Sequence, residues 1–341
     1  TVKIPKTRTG SFFPALLAPR RRIDVALHAV IMQAYVEGVS TRRVDDLVVA
    51  MGGTGVSKSE VSRVCAQLDA EVAAWRTRPL GEQEFPYVFL DATYCKARVN
   101  GRVVSQAVVI ATGVRADGHR EVLGCAVGDS ETEVFWTEFC RDLRGRGLHG
   151  VQLVVSDAHT GLTAAIATVL QGATWQRCRV HFLRNVLAKV PKTEADMVAA
   201  YIRTVFAQPT PGAVRDQLDL VADTLAPKLP AVAAMLREAK ADLTAFADFP
   251  HAHWAKIWST NPIERVNKEL KRRTDVVGIF PNTAALLRLS ACVLIEAHDE
   301  WLDADRRYLS EGSMALLYPS PPIALPTRPE EVIATAELAT A

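Results

Sequence analysis

The chain has 341 residues, of which 49% are hydrophobic and 23% charged, with a formal net charge of +2. That length exceeds one compact core of ordinary size and suits two or three domains, and the composition is that of a soluble globular protein. No apolar run approaches the roughly 18 residues of a membrane span, no secretory pattern opens the chain, and the six cysteines show no Cys-x-x-Cys spacing. These features argue against a disulfide framework or a four-cysteine zinc site, and the expected location is the cytoplasm, with no membrane partner.

Residues 1–22 read as an extended basic arm: Lys3, Lys6, Arg8, Arg20, Arg21 and Arg22 precede the first acid, Asp24. Residues 23–80 read as a helical region. Val25, Leu27, Val30, Ile31 and Ala34 supply an apolar face at helical spacing, and Gly52-Gly53-Thr54-Gly55 breaks a second helix. A third begins after Ser57, with Glu60 placed as in a capping box. Helix, glycine-rich turn, helix is the outline of a helix-turn-helix, with Lys58, Ser59, Ser62 and Arg63 near the start of its recognition helix. The same pattern equally describes a plain helical hairpin.

Residues 84–191 change character. The run Phe85 to Leu90 reads as a strand ending at Asp91. Asn100-Gly101 is a strong hairpin signal, and Asp117-Gly118 marks a second turn, so three consecutive antiparallel strands are expected. Ser130 and Glu133 are placed to cap a helix. Val151–Val155 reads as a buried strand ending at Asp157. A helix over 161–170, a strand within 173–180 and a helix from His181 follow. That order gives an α/β fold of the ribonuclease H-like type, a mixed sheet flanked by helices, and it says nothing by itself about function. Residues 192–258 are Ala-rich and proline-punctuated and read as an all-helical insertion. Residues 259–318 return to the core with a helix marked by Asn261 as N-cap and Pro262 at its first position. Residues 319–341 read as an irregular tail.

Phosphoryl transfer by two divalent cations needs carboxylates from separate elements aimed at one point. Taken singly, Asp91 and Asp157 read first as strand-end turn residues, and Glu264 reads first as a capping glutamate. Together, two strand-end aspartates in this order and a helical glutamate beyond an insertion form a candidate catalytic and metal-binding triad.

Four segments carry a resemblance: Asp91-Ala92-Thr93-Tyr94-Cys95-Lys96; Ser156-Asp157-Ala158-His159-Thr160-Gly161-Leu162; Trp175-Gln176-Arg177-Cys178-Arg179-Val180-His181-Phe182; and Ser259 to Asn267 continuing through Arg272 to Asn282. The chain resembles the Mutator-type transposases of bacterial insertion sequences over about residues 20–318. The resemblance implies an Asp-Asp-Glu triad of Asp91, Asp157 and Glu264 holding two Mg²⁺ (or Mn²⁺) ions. It implies cleavage of DNA at the element's ends, and transfer of the freed 3′-hydroxyl to another phosphodiester. It also implies a Cys-x-x-His feature at Cys178 and His181, read as structural or DNA-contacting. Family members carry more chain before the point where this one begins, so part of an end-binding region is expected to lie outside it.

The expected partners are DNA, as terminal inverted repeats and target, and a second copy of the chain. Lys58, Arg63, Lys96, Arg98, Arg265, Lys268, Lys271, Arg272 and Arg273 are the expected phosphate contacts, Lys268, Lys271 and Arg272 at helical spacing. Two rivals remain at this point: a ribonuclease H-like nuclease without strand transfer, and a transposase-derived or truncated DNA-binding protein that no longer cuts.

Overall fold

The computed structural model describes residues 21–36, 39, 45, 46, 48, 49 and 58–318. The basic arm up to Arg20, the Gly52–Gly55 turn, the capping position Ser57 and the tail from Pro319 lie outside the described residues.

The protein is a mixed α/β structure. Among the described residues a six-stranded sheet runs β3-β2-β1-β4-β5, with the short β6 (Ile279–Phe280) pairing β1. Strands β1 (Tyr87–Val99), β2 (Arg102–Val114) and β3 (Arg120–Gly128) form an antiparallel meander. The β1–β2 turn is Asn100-Gly101, both at positive φ (51° and 76°), as a two-residue primed turn requires. Strands β4 (Leu153–Ser156) and β5 (Thr174–Arg177) extend the other edge in parallel.

Strand alternation sends side chains to two layers. Val88, Leu90, Val109, Ala111 and Val154 face α3 (Glu133–Gly145) and α4 (Thr160–Val169), whose Trp136, Phe139, Leu162 and Ile166 complete one buried cluster. The predicted Ser130–Glu133 cap is shifted: Thr132 is the N-cap of α3, and its hydroxyl accepts from Phe135 N at 3.2 Å. Tyr87, Phe89, Cys95, Ala97 and Val155 face the opposite layer.

That opposite layer holds α1 (Arg21–Val36), α2 (Lys58–Arg76) and, later in the chain, α11 (Asn261–Val277) and α12 (Thr283–Leu302). In α1 the buried stripe is Ile23, Ala26, Val30 and Ala34, whereas Val25 points outward at 38% exposure. The expected apolar face is thus borne out at Val30, Ile31 and Ala34, with Leu27 half-buried against the core. Val25 is left out because the stripe follows contact with α2 and α12 rather than apolar content alone. Arg288 of α12, 3% exposed, fixes this layer with Nε and Nη2 bonds to Asp69 at 2.7 and 2.8 Å and an Nη1 bond to Gln33 at 3.1 Å.

Between α5 (Arg179–Leu187) and α11 the chain is helical: α6 (Ala195–Val205), α7 (Pro211–Leu225), α8 (Pro230–Glu238) and the single turns α9 (Lys240–Leu243) and α10 (Trp254–Ile257). Proline opens α7 and α8, where a missing N–H costs no helical bond. Phe206, Phe246, Trp254 and Trp258 form the aromatic centre of this block. Its base is bonded to the sheet. The Gln176 amide donates to Leu243 O at 3.1 Å and accepts from Phe246 N at 2.7 Å, and the Tyr87 hydroxyl meets His253 Nδ1 at 2.6 Å.

Candidate active site

Asp91 does not end its strand. β1 continues eight residues beyond it to Val99, with Cys95 and Ala97 buried in alternation. What ends near Asp91 is β1's neighbour. On that edge β4 pairs with Tyr87–Phe89 and β6 (Ile279–Phe280) pairs with Lys96–Ala97, so the stretch between them is left open. The last bridge from β4 joins Phe89 to Val155, and continuing that register sets Asp91 level with Asp157 on the same face of the sheet. The chain winds from β1 to β2 and β3 on one side and returns as β4 and β5 on the other. The two aspartates therefore stand at the topological switch point, where open α/β sheets form crevices.

Helix α11 lies over this opening and contacts β1. Its N-cap is Thr260, with Asn261 and Pro262 forming the start of the helix, one position earlier than expected. Asn267 Nδ2 donates to Asp91 Oδ2 at 2.6 Å, and the Ala92 N–H donates to Asp91 Oδ1 at 3.0 Å. Glu264 lies one helical turn before Asn267 and is exposed, with no hydrogen bond or ion pair among the described residues. Asp91 and Asp157 thus come together. Among the described residues, no three His, Cys, Asp or Glu side chains close into a metal cage.

Loss of water pushes the Asp91 carboxyl up to about 6, and the charges of Asp157 and Glu131 push the same way. His181 and the Ala92 N–H oppose the rise. His181 is itself raised, first by its hydrogen bond to Cys178, then by the charges of Cys178, Asp91 and Asp157, while burial works against the rise. Burial pushes the Cys178 thiol up, but hydrogen bonds to His181 and Thr260 outweigh it and the net direction is down. The donor chemistry suits a hard divalent cation. Two carboxylates share one opening with no lysine or arginine ion pair among the described residues, and the buried Oδ1 of Asn267 beside Asp91 has no partner.

The basic residues are dispersed. Lys58 and Arg63 are exposed on the first turns of α2. Lys96 is exposed but, by strand alternation, sits on the sheet face opposite Asp91. On α11, Lys271 pairs with Asp275 at 3.1 Å, Arg272 with Glu269 at 2.8 Å, and Arg273 with Glu269 at 3.0 Å and Asp24 at 3.5 Å. Arg265 and Lys268 carry no ion pair among the described residues, and both line a groove with Glu296 and Trp301. Two residues near the aspartates carry no signal in the sequence. Asn267 acts across 176 positions of chain. Glu131 is hydrogen-bonded to Tyr94 and, after burial, helps push that phenol up to about 12.

The family model described as "Transposase, Mutator family" matches residues 1–304. The transposase for insertion sequence element IS1081 of Mycobacterium tuberculosis is 49% identical over 309 residues, covering 90% of this chain and 74% of that protein. The transposase for IS406 of Burkholderia multivorans is 42% identical over 305 residues, covering 89% and 78%. The transposase for IS256 in transposon Tn4001 of Staphylococcus aureus is 38% identical over 311 residues, covering 91% and 80%. With such a match along most of its length, the chain belongs to the Mutator family of transposases.

Proposed function

We propose that this protein is the transposase of an insertion sequence, cutting DNA at the element's ends and joining the freed 3′-hydroxyl to a second phosphodiester, with Asp91, Asp157 and Glu264 as its acidic triad. The observation that carries the reading is the level placement of Asp91 and Asp157 on one sheet face, beneath a helix bonded to Asp91 through Asn267. The sheet order supports a ribonuclease H-like core, with the helices between α5 and α11 as an insertion and the N-terminal helices as a DNA-binding region.

Asp91, Asp157 and Glu264 would hold two Mg²⁺ or Mn²⁺ ions, which when bound supply positive charge to the attacking and leaving oxygens of an in-line displacement. Asn267 keeps the Asp91 carboxylate turned toward the opening between β4 and β6. In the first displacement water forms a P–O bond as the bond to the 3′-oxygen breaks. In the second, that 3′-hydroxyl attacks a target phosphodiester and displaces its 3′-oxygen. Arg265 and Lys268, on the same helix as Glu264 and without an ion pair among the described residues, would meet the DNA phosphate backbone. Two element ends must be held at once, so the working form is a dimer or larger assembly on DNA.

The test is a strand-transfer assay with a labelled terminal-repeat duplex and Mg²⁺ or Mn²⁺, comparing wild type, Asp157→Asn and Glu264→Gln. Joined product from wild type alone supports the triad, with both variants still folding and binding DNA. Normal cleavage by Glu264→Gln removes Glu264 from it, and cleavage without joining by wild type turns the reading to a nuclease.

A further inference from the structure

Cys178 has no solvent exposure and touches both halves of the candidate site. Its N–H donates to Ser156 O at 2.7 Å, and Ser156 is the residue immediately before Asp157. Its sulfur accepts the Thr260 N–H at 3.4 Å and lies 3.4 Å from the Thr260 hydroxyl. Thr260 is the N-cap of α11, four residues before Glu264, yet its side chain makes no capping bond to its own helix. Threonine at that position ordinarily closes the first turn with its hydroxyl. Here the hydroxyl is turned to Cys178 instead, and Thr260 itself is only 5% exposed. The neighbouring step is also tied, with Arg179 N donating to Trp258 O at 3.0 Å and the Arg179 guanidinium 3.8 Å from the centre of the Trp258 ring.

We propose that Cys178 is a positioning residue: its sulfur fixes the start of α11 against the end of β4, and so sets where Glu264 stands relative to Asp91 and Asp157. The inference rests on Glu264 being the third member of the triad. A thiol is a weak hydrogen-bond group, but the Thr260 N–H is buried and would be left unpartnered without the sulfur. His181, one turn into α5, completes the connection by bonding Cys178 while lying beside both aspartates. The Cys-x-x-His spacing thereby gains a structural account: Cys178 holds the helix bearing the distant glutamate, and His181 bonds back to Cys178.

The experiment uses the full chain as Cys178→Ala, Cys178→Ser and Thr260→Val, with Glu264→Gln alongside. Hydrogen exchange of the amides at 263–266 is read together with single-turnover cleavage and affinity for terminal-repeat DNA. Cys178→Ala is expected to speed exchange in that first turn while leaving 270–277 protected. It is also expected to slow cleavage by about 10–100-fold at unchanged DNA affinity, as for a displaced catalytic group. Cys178→Ser restores part of both, and Thr260→Val gives a smaller change in the same direction. Unchanged exchange and cleavage in Cys178→Ala overturn the proposal, as does equal loss of protection throughout α11. If Cys178→Ala does not fold, Thr260→Val carries the same test through the hydroxyl alone. Normal cleavage by Glu264→Gln fails the triad reading by itself, and the exchange data still decide whether Cys178 holds the first turn.

Discussion

Asp91→Asn should stabilise the metal-free protein while abolishing cleavage. An ordinary aspartate titrates near 3.8, and burial moves Asp91 to about 6. Between those values the folded state holds a proton that the unfolded state has released, so this contribution to stability is fully present below 3.8 and is lost as pH rises through 6. At about 1.4 kcal/mol per tenfold change in affinity, ionised Asp91 costs the fold about 3 kcal/mol at neutral pH. Asparagine keeps the shape and carries no charge: its oxygen can accept the Ala92 N–H, and its amide nitrogen can donate to the unpartnered Oδ1 of Asn267 once that amide turns over. Urea unfolding in EDTA, followed by tryptophan fluorescence, should find Asp91→Asn more stable than wild type by about 1–3 kcal/mol near pH 7, converging near pH 4. Adding Mg²⁺ should stabilise wild type more than the variant, because a cation that binds only the folded site adds to stability by mass action. Parallel stability profiles for the two proteins across that range would refute the argument.

Asn267→Ala should leave DNA affinity unchanged and slow single-turnover cleavage by about 10–100-fold, because the Asp91 carboxylate loses its 2.6 Å donor. Arg265→Ala and Lys268→Ala should each flatten the salt dependence of DNA binding, by roughly 0.9 in log–log slope for every phosphate no longer neutralised. Lys271→Ala and Arg272→Ala should do less, since Asp275 and Glu269 already neutralise those charges; titrations at several salt concentrations separate the two pairs. Asp69→Ala strips the half-exposed bidentate partner from the buried Arg288, which keeps Gln33, and should cost about 1–3 kcal/mol in chemical denaturation.

The meander is legible in the sequence because its signals are local: Asn100-Gly101 dictates a primed turn and the β-branched run of β2 follows it directly. The end of β1 is not legible, for a related reason. The apolar run stops at Leu90 because β4 stops covering that edge, not because the strand stops, and beyond it only alternate residues are buried. β6 has two residues and leaves no periodic signal. The cap of α3 is Thr132 rather than Ser130, a choice between two nearby hydroxyl residues that local spacing does not decide. Asp91 and Asp157 are visible as acids placed against apolar strands. Asn267, and the carboxylate partners of Arg272 and Arg273, are not, because their significance comes from which neighbours folding gives them.

The bonds at the base of the helical block set where this chain can tolerate change in length. Gln176 and Tyr87 sit on the strands that flank β4, and each spends its polar side chain on that block. Trimming an exposed turn such as Pro227-Lys228, which joins α7 to α8, removes surface chain and leaves Gln176 and Tyr87 with their partners. Excising the block at its root would strand a buried phenol on β1 and a buried amide on β5. Length variation among relatives should therefore gather at the tips of these helices, with the residues meeting Gln176 and Tyr87 held in place.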